Sequence, residues 1–130
     1  MIAKFTKRLA AVLFSVLIAV SVLFVAADTA SAATVTVNMG ASAGAPLAFE
    51  PKAVSISAGD SVQWVMNKLG PHNVIFDKVP AGVDASALSH TALESKAGSA
   101  FSVTFDTPGT YSYYCTPHRG AGMVGTITVQ

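Results

Sequence analysis

The sequence predicts one small all-β domain, a β-sandwich or barrel, preceded by an N-terminal export signal. Two observations predict the β class: apolar and polar residues alternate with period two in many short runs, and turn residues separate those runs. The third observation is compositional, because 52% of the 130 residues are hydrophobic and only 12% are charged. This composition excludes intrinsic disorder, and the single cysteine excludes an intrachain disulfide scaffold.

The first element along the chain is an apolar run at residues 9–27, interrupted only by two serines. Basic residues precede the run and an Ala-Ser-Ala site at 30–32 follows it, which is the pattern of a secretory signal peptide. A membrane anchor is the alternative, because an apolar run of this length could span a bilayer. No basic flank follows the run, however. We therefore expect residues 1–32 to be a cleaved signal peptide and residues 33–130 to be the exported domain.

The exported domain contains seven alternating runs that are rich in β-branched or aromatic residues. Alternation is weakest at residues 81–95, where we expect a short helical turn or an irregular excursion within residues 85–93. No internal repeat or linker divides the domain. The predicted strands include residues 35–37, 54–56, 62–64, 74–76, 101–105, 111–115 and 127–129.

The charges of the exported domain nearly cancel, because five basic side chains face six acidic ones. The six carboxylates are scattered along the sequence, and no basic run follows residue 8. This balance argues against binding of nucleic acid through bulk charge.

The residues that carry recognisable chemistry lie near the C-terminus. Cys115, His118 and Met123 have the spacing C-x2-H-x4-M between two predicted strands, and His72 stands at the start of another strand. One thiolate, two imidazoles and one thioether form the ligand set of a blue-copper site. Soft sulfur suits Cu(I), and imidazole tolerates both oxidation states. The set therefore favours one copper ion that cycles between Cu(I) and Cu(II).

Each of these residues alone has an ordinary structural interpretation as a buried, loop or core side chain. Their combination at this spacing favours a metal site. Zinc is the chemical alternative, although it has little use for a thioether. Haem attachment would need C-x-x-C-H, which the sequence lacks. The third histidine, His90, has no cysteine or methionine nearby, and we interpret it as a surface residue.

Residues 71–74 and 111–125, with the loop sequence PHRGAGMVG, resemble the plastocyanin family and most of all its cyanobacterial branch. The resemblance extends over essentially the whole exported domain. It implies a cupredoxin fold, an eight-stranded Greek-key sandwich with copper at one end. The copper ligands that it implies are His72, Cys115, His118 and Met123.

The resemblance also implies a function. A member of this family would be a soluble, monomeric one-electron carrier in the thylakoid lumen, peripheral to the thylakoid membrane. It would take electrons from cytochrome f of the cytochrome b/f complex and pass them to photosystem I. Four protein ligands leave no clear open position on the metal for a substrate, so we do not expect an enzyme.

Further residues receive roles through the resemblance. Asn73 matches the residue that supports the first histidine ligand, and Tyr114 matches an exposed tyrosine in a remote electron path. Pro71, Gly120 and Ala121 match the apolar surface around the exposed edge of His118.

The sequence departs from the family pattern in two places. Acidic clusters flank that tyrosine in higher-plant plastocyanins, but here the carboxylates are dispersed. Residues 44–49 contain one residue more than the usual pattern. We expect Leu47 to fill the apolar docking position, and Pro46 leaves the register of this segment open.

Other functions are compatible with parts of the pattern. A pseudoazurin-like carrier uses similar ligand spacing, although the loop sequence favours plastocyanin. A copper chaperone or store would expose methionine- or histidine-rich sites instead. A purely structural Ig-like adhesion sandwich is the last alternative, and metal analysis would distinguish it.

Overall fold

Nine strands and one short helix make up the part of the chain described by the computed structural model, residues 30–40 and 45–130. Ser31–Gln130 form one compact unit. Nearly all of the predicted signal peptide lies outside the described residues. Within residues 30–40 and 45–130, no helix has the length and apolar character needed to cross a membrane.

The elements follow the chain in a simple order. Helix α1 (Ala85–Leu88) lies between the fifth and sixth strands, and a 3₁₀ turn (Arg119–Ala121) lies between the last two. The strands are β1 (Thr34–Met39), β2 (Phe49–Glu50), β3 (Ala53–Ile56), β4 (Ser61–Met66), β5 (His72–Lys78), β6 (His90–Glu94), β7 (Ala100–Thr104), β8 (Gly109–Tyr114) and β9 (Val124–Val129).

Two sheets form the domain. One has the strand order β2-β1-β4-β7 and the other has the order β3-β9-β8-β5-β6. The β1–β4 and β3–β9 pairs are parallel, while the other strand pairs are antiparallel. The prediction of an all-β sandwich is therefore confirmed.

The core is filled by the side chains that alternation assigned to the inner faces. In β4, every second residue is buried, and Trp64 is completely enclosed. Its indole stacks on Phe101 at 5.4 Å and meets the edges of Tyr113 and Phe76 at 5.4 and 6.0 Å. The contacts of Trp64 with Tyr113 and Phe76 link the two sheets, whereas Phe101 belongs to the same sheet as Trp64, and all three add directional packing to ordinary apolar burial.

All seven predicted runs contain strands, and β2 and β6, which were not predicted, bring the total in the described residues to nine, one more than the eight that the resemblance implies. β2 has only two residues, too few to show a period. β6 is an edge strand whose central residues are exposed on both faces, which removes the alternating signal. The predicted helical turn is confirmed as α1, where Asp84 accepts a hydrogen bond from Ser86 N–H at 2.8 Å.

His90, interpreted as a surface residue, lies on the edge strand β6, where 29% of its side chain is exposed, and it is not part of the ligand cluster. Its ring is half-buried and stacks on Phe101 at a centroid distance of 3.9 Å. Its Nε2 lies 2.9 Å from a carboxylate oxygen of Glu94. His90 therefore has a packing role on the edge strand.

Candidate metal centre

The candidate centre lies where β5 begins and β8 ends. Cys115 follows β8 directly, and the loop after it returns to start β9. The backbone N–H of Cys115 donates to the Met123 carbonyl at 3.1 Å, and Met123 N–H donates to the His118 carbonyl at 3.2 Å. These bonds close the loop on itself, so Cys115, His118 and Met123 belong to one small ring of backbone.

An irregularity in β5 brings His72 to the same place. The pairing between β5 and β6 shifts register between His72 and Val74. In a regular strand, neighbouring side chains point to opposite faces, yet His72, Asn73 and Val74 are all buried. A bulge of this kind re-aims side chains next to functional sites.

Three donor atoms converge in this region. His72 Nδ1 lies 3.6 Å from the Cys115 sulfur and 3.1 Å from His118 Nδ1. His118 Nδ1 lies 3.5 Å from the same sulfur. His72 and Cys115 are fully buried, whereas His118 is half-buried. The structure thus brings together three of the four predicted site residues through one ligand atom each.

The hydrogen-bond partner of His72 Nε2 determines which ring nitrogen carries the proton. Nε2 lies 2.7 Å from the backbone carbonyl of Lys68, which can only accept a hydrogen bond. Nε2 therefore carries the proton, and in the neutral ring Nδ1 presents its lone pair to the thiol and to His118. This is the tautomer that a metal ligand bonded through Nδ1 requires.

Burial affects metal binding by the two groups in opposite directions, since it favours the neutral imidazole of His72 and the neutral thiol of Cys115. Burial lowers the pKa of His72; the hydrogen bond to the Lys68 carbonyl opposes this effect, and His118 adds to it. Burial raises the pKa of the Cys115 thiol, and backbone N–H groups of Asn73 and His118 oppose that rise. The imidazole is ready to bind in its neutral form, while a metal ion has to displace the thiol proton.

Met123, the fourth predicted residue, is completely buried on the same loop. Its backbone carbonyl is bonded to Cys115 N–H, which places the two residues side by side. Asn73 joins β5 to the metal loop: its Oδ1 accepts from Thr116 N–H at 2.8 Å, and its Nδ2 donates to Thr116 Oγ1 at 3.2 Å.

The donor set fits copper. Two imidazoles and a thiolate, with a buried thioether on the same loop, are soft or borderline ligands, and the cluster contains no carboxylate that would favour magnesium or calcium. In residues 30–40 and 45–130, this is the single group of at least three His, Cys, Asp or Glu side chains close enough to share an ion. Sequence reasoning missed the Lys68 carbonyl, because a backbone acceptor has no residue-type signature.

A family model for copper binding proteins of the plastocyanin/azurin family matches residues 35–130. The chain belongs to the plastocyanin/azurin family of copper-binding proteins. The plastocyanin of Prochlorothrix hollandica is 63% identical over 98% of this chain and 97% of its own length. The similarity to plastocyanins of cyanobacterial type, expected from the loop sequence, is therefore confirmed.

Solved structures agree on the fold. Oxidised plastocyanin from the fern Dryopteris crassirhizoma has a TM-score of 0.62 and 36% identity, covering 73% of this chain and 99% of its own. A pseudoazurin from Sinorhizobium meliloti has a TM-score of 0.59 and 33% identity, covering 75% of this chain and 74% of its own. The chain has the cupredoxin β-sandwich, its cofactor is copper, and it is a blue-copper electron carrier.

Several residues without polar side chains are exposed beside the ligands. Pro71, Pro117, Gly120 and Ala121 are exposed around the half-buried His118. We call these four exposed residues, together with His118, the apolar rim.

Arg119 lies next to His118 and Gly120 of the apolar rim in the sequence. Arg119 forms a 2.9 Å ion pair with Asp77, and its guanidinium carbon lies 3.9 Å from the centre of the Tyr114 ring. Tyr114, which the resemblance implied to be exposed, is half-buried beside this guanidinium. The ion pair and the ring contact both restrain the side chain of Arg119.

Proposed function

We propose that His72, Cys115, His118 and Met123 hold one copper ion, and that the chain carries electrons from cytochrome f to photosystem I. The observation that carries the proposal is the convergence of two Nδ1 atoms and one sulfur within 4.8 Å of one another. In this proposal the carrier is a soluble monomer of the thylakoid lumen and has no enzymatic activity of its own. Plastocyanin relatives, some described as chloroplastic, support that role and place.

Copper supplies a one-electron redox couple, and the protein supplies a site that suits both oxidation states. Sequestering His72, Cys115 and Met123 in the core keeps water away from three of the four ligands. The bonds of Asn73 to the loop and the closure of residues 115–123 limit the movement of the donors. A site that changes little between oxidation states transfers an electron with little reorganisation.

His118 is the proposed route for the electron, because it is the one ligand of the four that is not fully buried. A partner that covers the apolar rim would come within a short distance of its ring. Such a contact would be small, which suits a carrier that has to release its partner after every electron.

Long-range charge has a minor part in this docking. Five basic and six acidic residues follow residue 32, so the domain is nearly neutral. Arg119, the charge at the edge of the apolar rim, is already paired with Asp77. At physiological ionic strength an exposed charge is screened beyond about 8 Å.

The test is a salt series of the bimolecular rate of photosystem I reduction for wild type, Leu47→Asp and Arg119→Gln. We expect a shallow salt dependence for wild type, because steering requires a concentrated field. Leu47 is half-buried and is the predicted docking residue. We expect Leu47→Asp to slow the reaction by about 10-fold, because the new carboxylate would have to lose its water in an apolar contact. Arg119→Gln should change the rate by about 3-fold or less, as a change at the rim of an interface does.

A steep salt dependence of wild type together with an unaffected Leu47→Asp rate would contradict this docking model. Inability of the copper-loaded wild type to reduce photosystem I would contradict the proposed function itself.

We also propose that residues 1–32 are removed as a signal peptide. Residues 30–32 are exposed immediately before β1, which would give a peptidase access to them. The backbone N–H of Ala33 donates to the Asp60 carboxylate at 2.8 Å, and Ser57 N–H donates to the same carboxylate at 2.9 Å. Cleavage before Ala33 would turn the first bond into a bond from a charged α-ammonium group.

The Asp60 carboxylate should therefore stabilise the processed domain. The hydrogen bonds from Ala33 and Ser57 hold the pKa of Asp60 below its ordinary value of 3.8. A group with a lowered folded pKa stabilises the fold above its unfolded pKa, and this contribution is lost as pH falls through the folded value. We expect Asp60→Asn to lower the urea midpoint at neutral pH, with the difference from wild type shrinking at pH values below 3.8.

Urea unfolding at several pH values checks this prediction, with Asp106→Asn as the comparison for loss of one carboxylate. Mass spectrometry of the exported protein locates its first residue. A difference between wild type and Asp60→Asn that stays constant into strong acid would rule out the capping carboxylate as its cause.

A further inference from the structure

The Lys68 carbonyl fixes the tautomer of His72, so the support of that carbonyl matters for the centre. The segment that carries it lies against the end of β1. Asn67 N–H and Lys68 N–H both donate to the Met39 carbonyl, at 2.9 and 3.3 Å. Asn67 Nδ2 donates to the Gly40 carbonyl at 2.7 Å. Three hydrogen bonds therefore join residues 67–68 to residues 39–40.

Gly40 makes this close contact possible. A Cβ at this position would overlap the Lys68 carbonyl oxygen and would lie 2.8 Å from the Lys68 carbonyl carbon. The φ of Gly40 is +87°, in the left-handed region that favours glycine. Its own N–H donates to the Ala48 carbonyl at 2.9 Å, which holds the glycine against β2. Neither Gly40 nor the Lys68 carbonyl can shift without breaking backbone hydrogen bonds.

The backbone of Leu69, the residue after Lys68, has a conformation that its own side chain does not favour. Leu69 has a φ of +50°, and it is the one non-glycine residue with positive φ in the described part of the chain. A left-handed conformation is costly for leucine, and 60% of this residue is exposed, so its own packing offers little compensation. The hydrogen bonds from residues 67 and 68 to Met39 and Gly40 can hold Leu69 in this conformation.

We propose that Gly40 is a positioning residue of the copper centre, acting through the Lys68 carbonyl on the His72 ring. The inference rests on the proposed role of His72 as a ligand. Hydrogen bonding of the outer N–H of a ligating histidine fixes the ring and increases its basicity. A more basic imidazole stabilises Cu(II) more than Cu(I). Displacement of the carbonyl should therefore raise the reduction potential and weaken copper binding.

The experiment compares Gly40→Ala with Gly82→Ala. Gly82 has a φ of +83°, nearly the same as that of Gly40, but a Cβ there would meet no atom within 4 Å. Both variants thus carry a similar backbone cost, and only Gly40→Ala pushes on the Lys68 carbonyl. The readouts are the midpoint potential of the copper-loaded protein and the solvent exchange of the His72 Nε2 proton, measured by NMR in the diamagnetic Cu(I) form.

We expect Gly40→Ala to raise the midpoint potential, to weaken copper binding about 10-fold and to accelerate exchange of the His72 Nε2 proton. Gly82→Ala should match wild type in all three quantities. Should Gly40→Ala fail to fold, Asn67→Ala decides the matter, because it removes the bond to the Gly40 carbonyl without adding any atom. It should change the potential and the exchange in the same direction.

The proposal would be overturned if Gly40→Ala left both the midpoint potential and the exchange of the Nε2 proton unchanged. The same holds for Asn67→Ala if that variant has to replace Gly40→Ala. Either result would leave the ligand role of His72 intact. Faster exchange of the Nε2 proton with an unchanged potential would also overturn the proposal, because the carbonyl would then not tune the centre. Failure of the wild-type protein to bind copper would instead contradict the ligand role of His72. The failure of the inference and the failure of the proposed function are thus distinguishable.

Discussion

Cys115→Ser is expected to abolish the intense red absorption of the copper-loaded protein and its electron-carrier activity while leaving the domain folded. The Cys115 sulfur lies 3.6 and 3.5 Å from the Nδ1 atoms of His72 and His118, so in our proposal it is the thiolate ligand that gives the site its colour. Serine offers no soft donor. The fold should survive because the core is built by aliphatic and aromatic side chains elsewhere in both sheets. Visible spectroscopy and circular dichroism of the purified variant provide the measurement.

Met123→Gln is the matched comparison at the neighbouring ligand position. An axial thioether is a weak ligand that tunes the potential, and glutamine is a natural replacement for it. This variant should keep copper and colour and shift the midpoint potential. An intense red absorption band in Cys115→Ser would contradict the assignment of the thiolate. An unchanged potential in Met123→Gln would contradict the axial role of Met123.

Gly125→Ala is expected to destabilise the domain strongly. Gly125 stands opposite Tyr113 in the β8–β9 pairing, and a Cβ there would overlap the Tyr113 ring. That ring is enclosed by Phe49 at 4.8 Å and Trp64 at 5.4 Å, so it has no space to move. Overpacking a core typically costs about 1–3 kcal/mol, and we expect about 3 kcal/mol in the free energy of unfolding.

Gly120→Ala is the control, because a Cβ at that position would meet no atom within 4 Å. Its free energy of unfolding should stay within about 0.5 kcal/mol of wild type. The mechanism is tested by adding Tyr113→Leu, which removes the ring. Gly125→Ala should cost much less in that background, and strictly additive effects would show that the ring is not the cause.

Much of the fold could be predicted because alternation records which side chains face the core. The runs around Val62 and Trp64 and around Tyr111 and Tyr113 have one buried face, and the structure has strands there. The edge strand β6 could not be predicted in this way, because an edge strand with little buried surface leaves no alternating pattern.

The centre could be anticipated because thiol, imidazole and thioether groups are scarce and chemically distinctive. The irregularity in β5 that turns His72 and Asn73 inward was not visible, since a bulge depends on register with a partner strand. The Lys68 carbonyl was invisible for a different reason: every residue has a carbonyl, and only the three-dimensional path of the chain selects this one.

The place of β9 in its sheet has a consequence for biosynthesis. β9 is the last strand of the domain, yet it lies inside the sheet, between β3 and β8. While a ribosome is still adding residues 124–129, β8 lacks one neighbour and β3 lacks its partner. The sheet next to Cys115 therefore becomes complete only when the last strand of the domain has been synthesised.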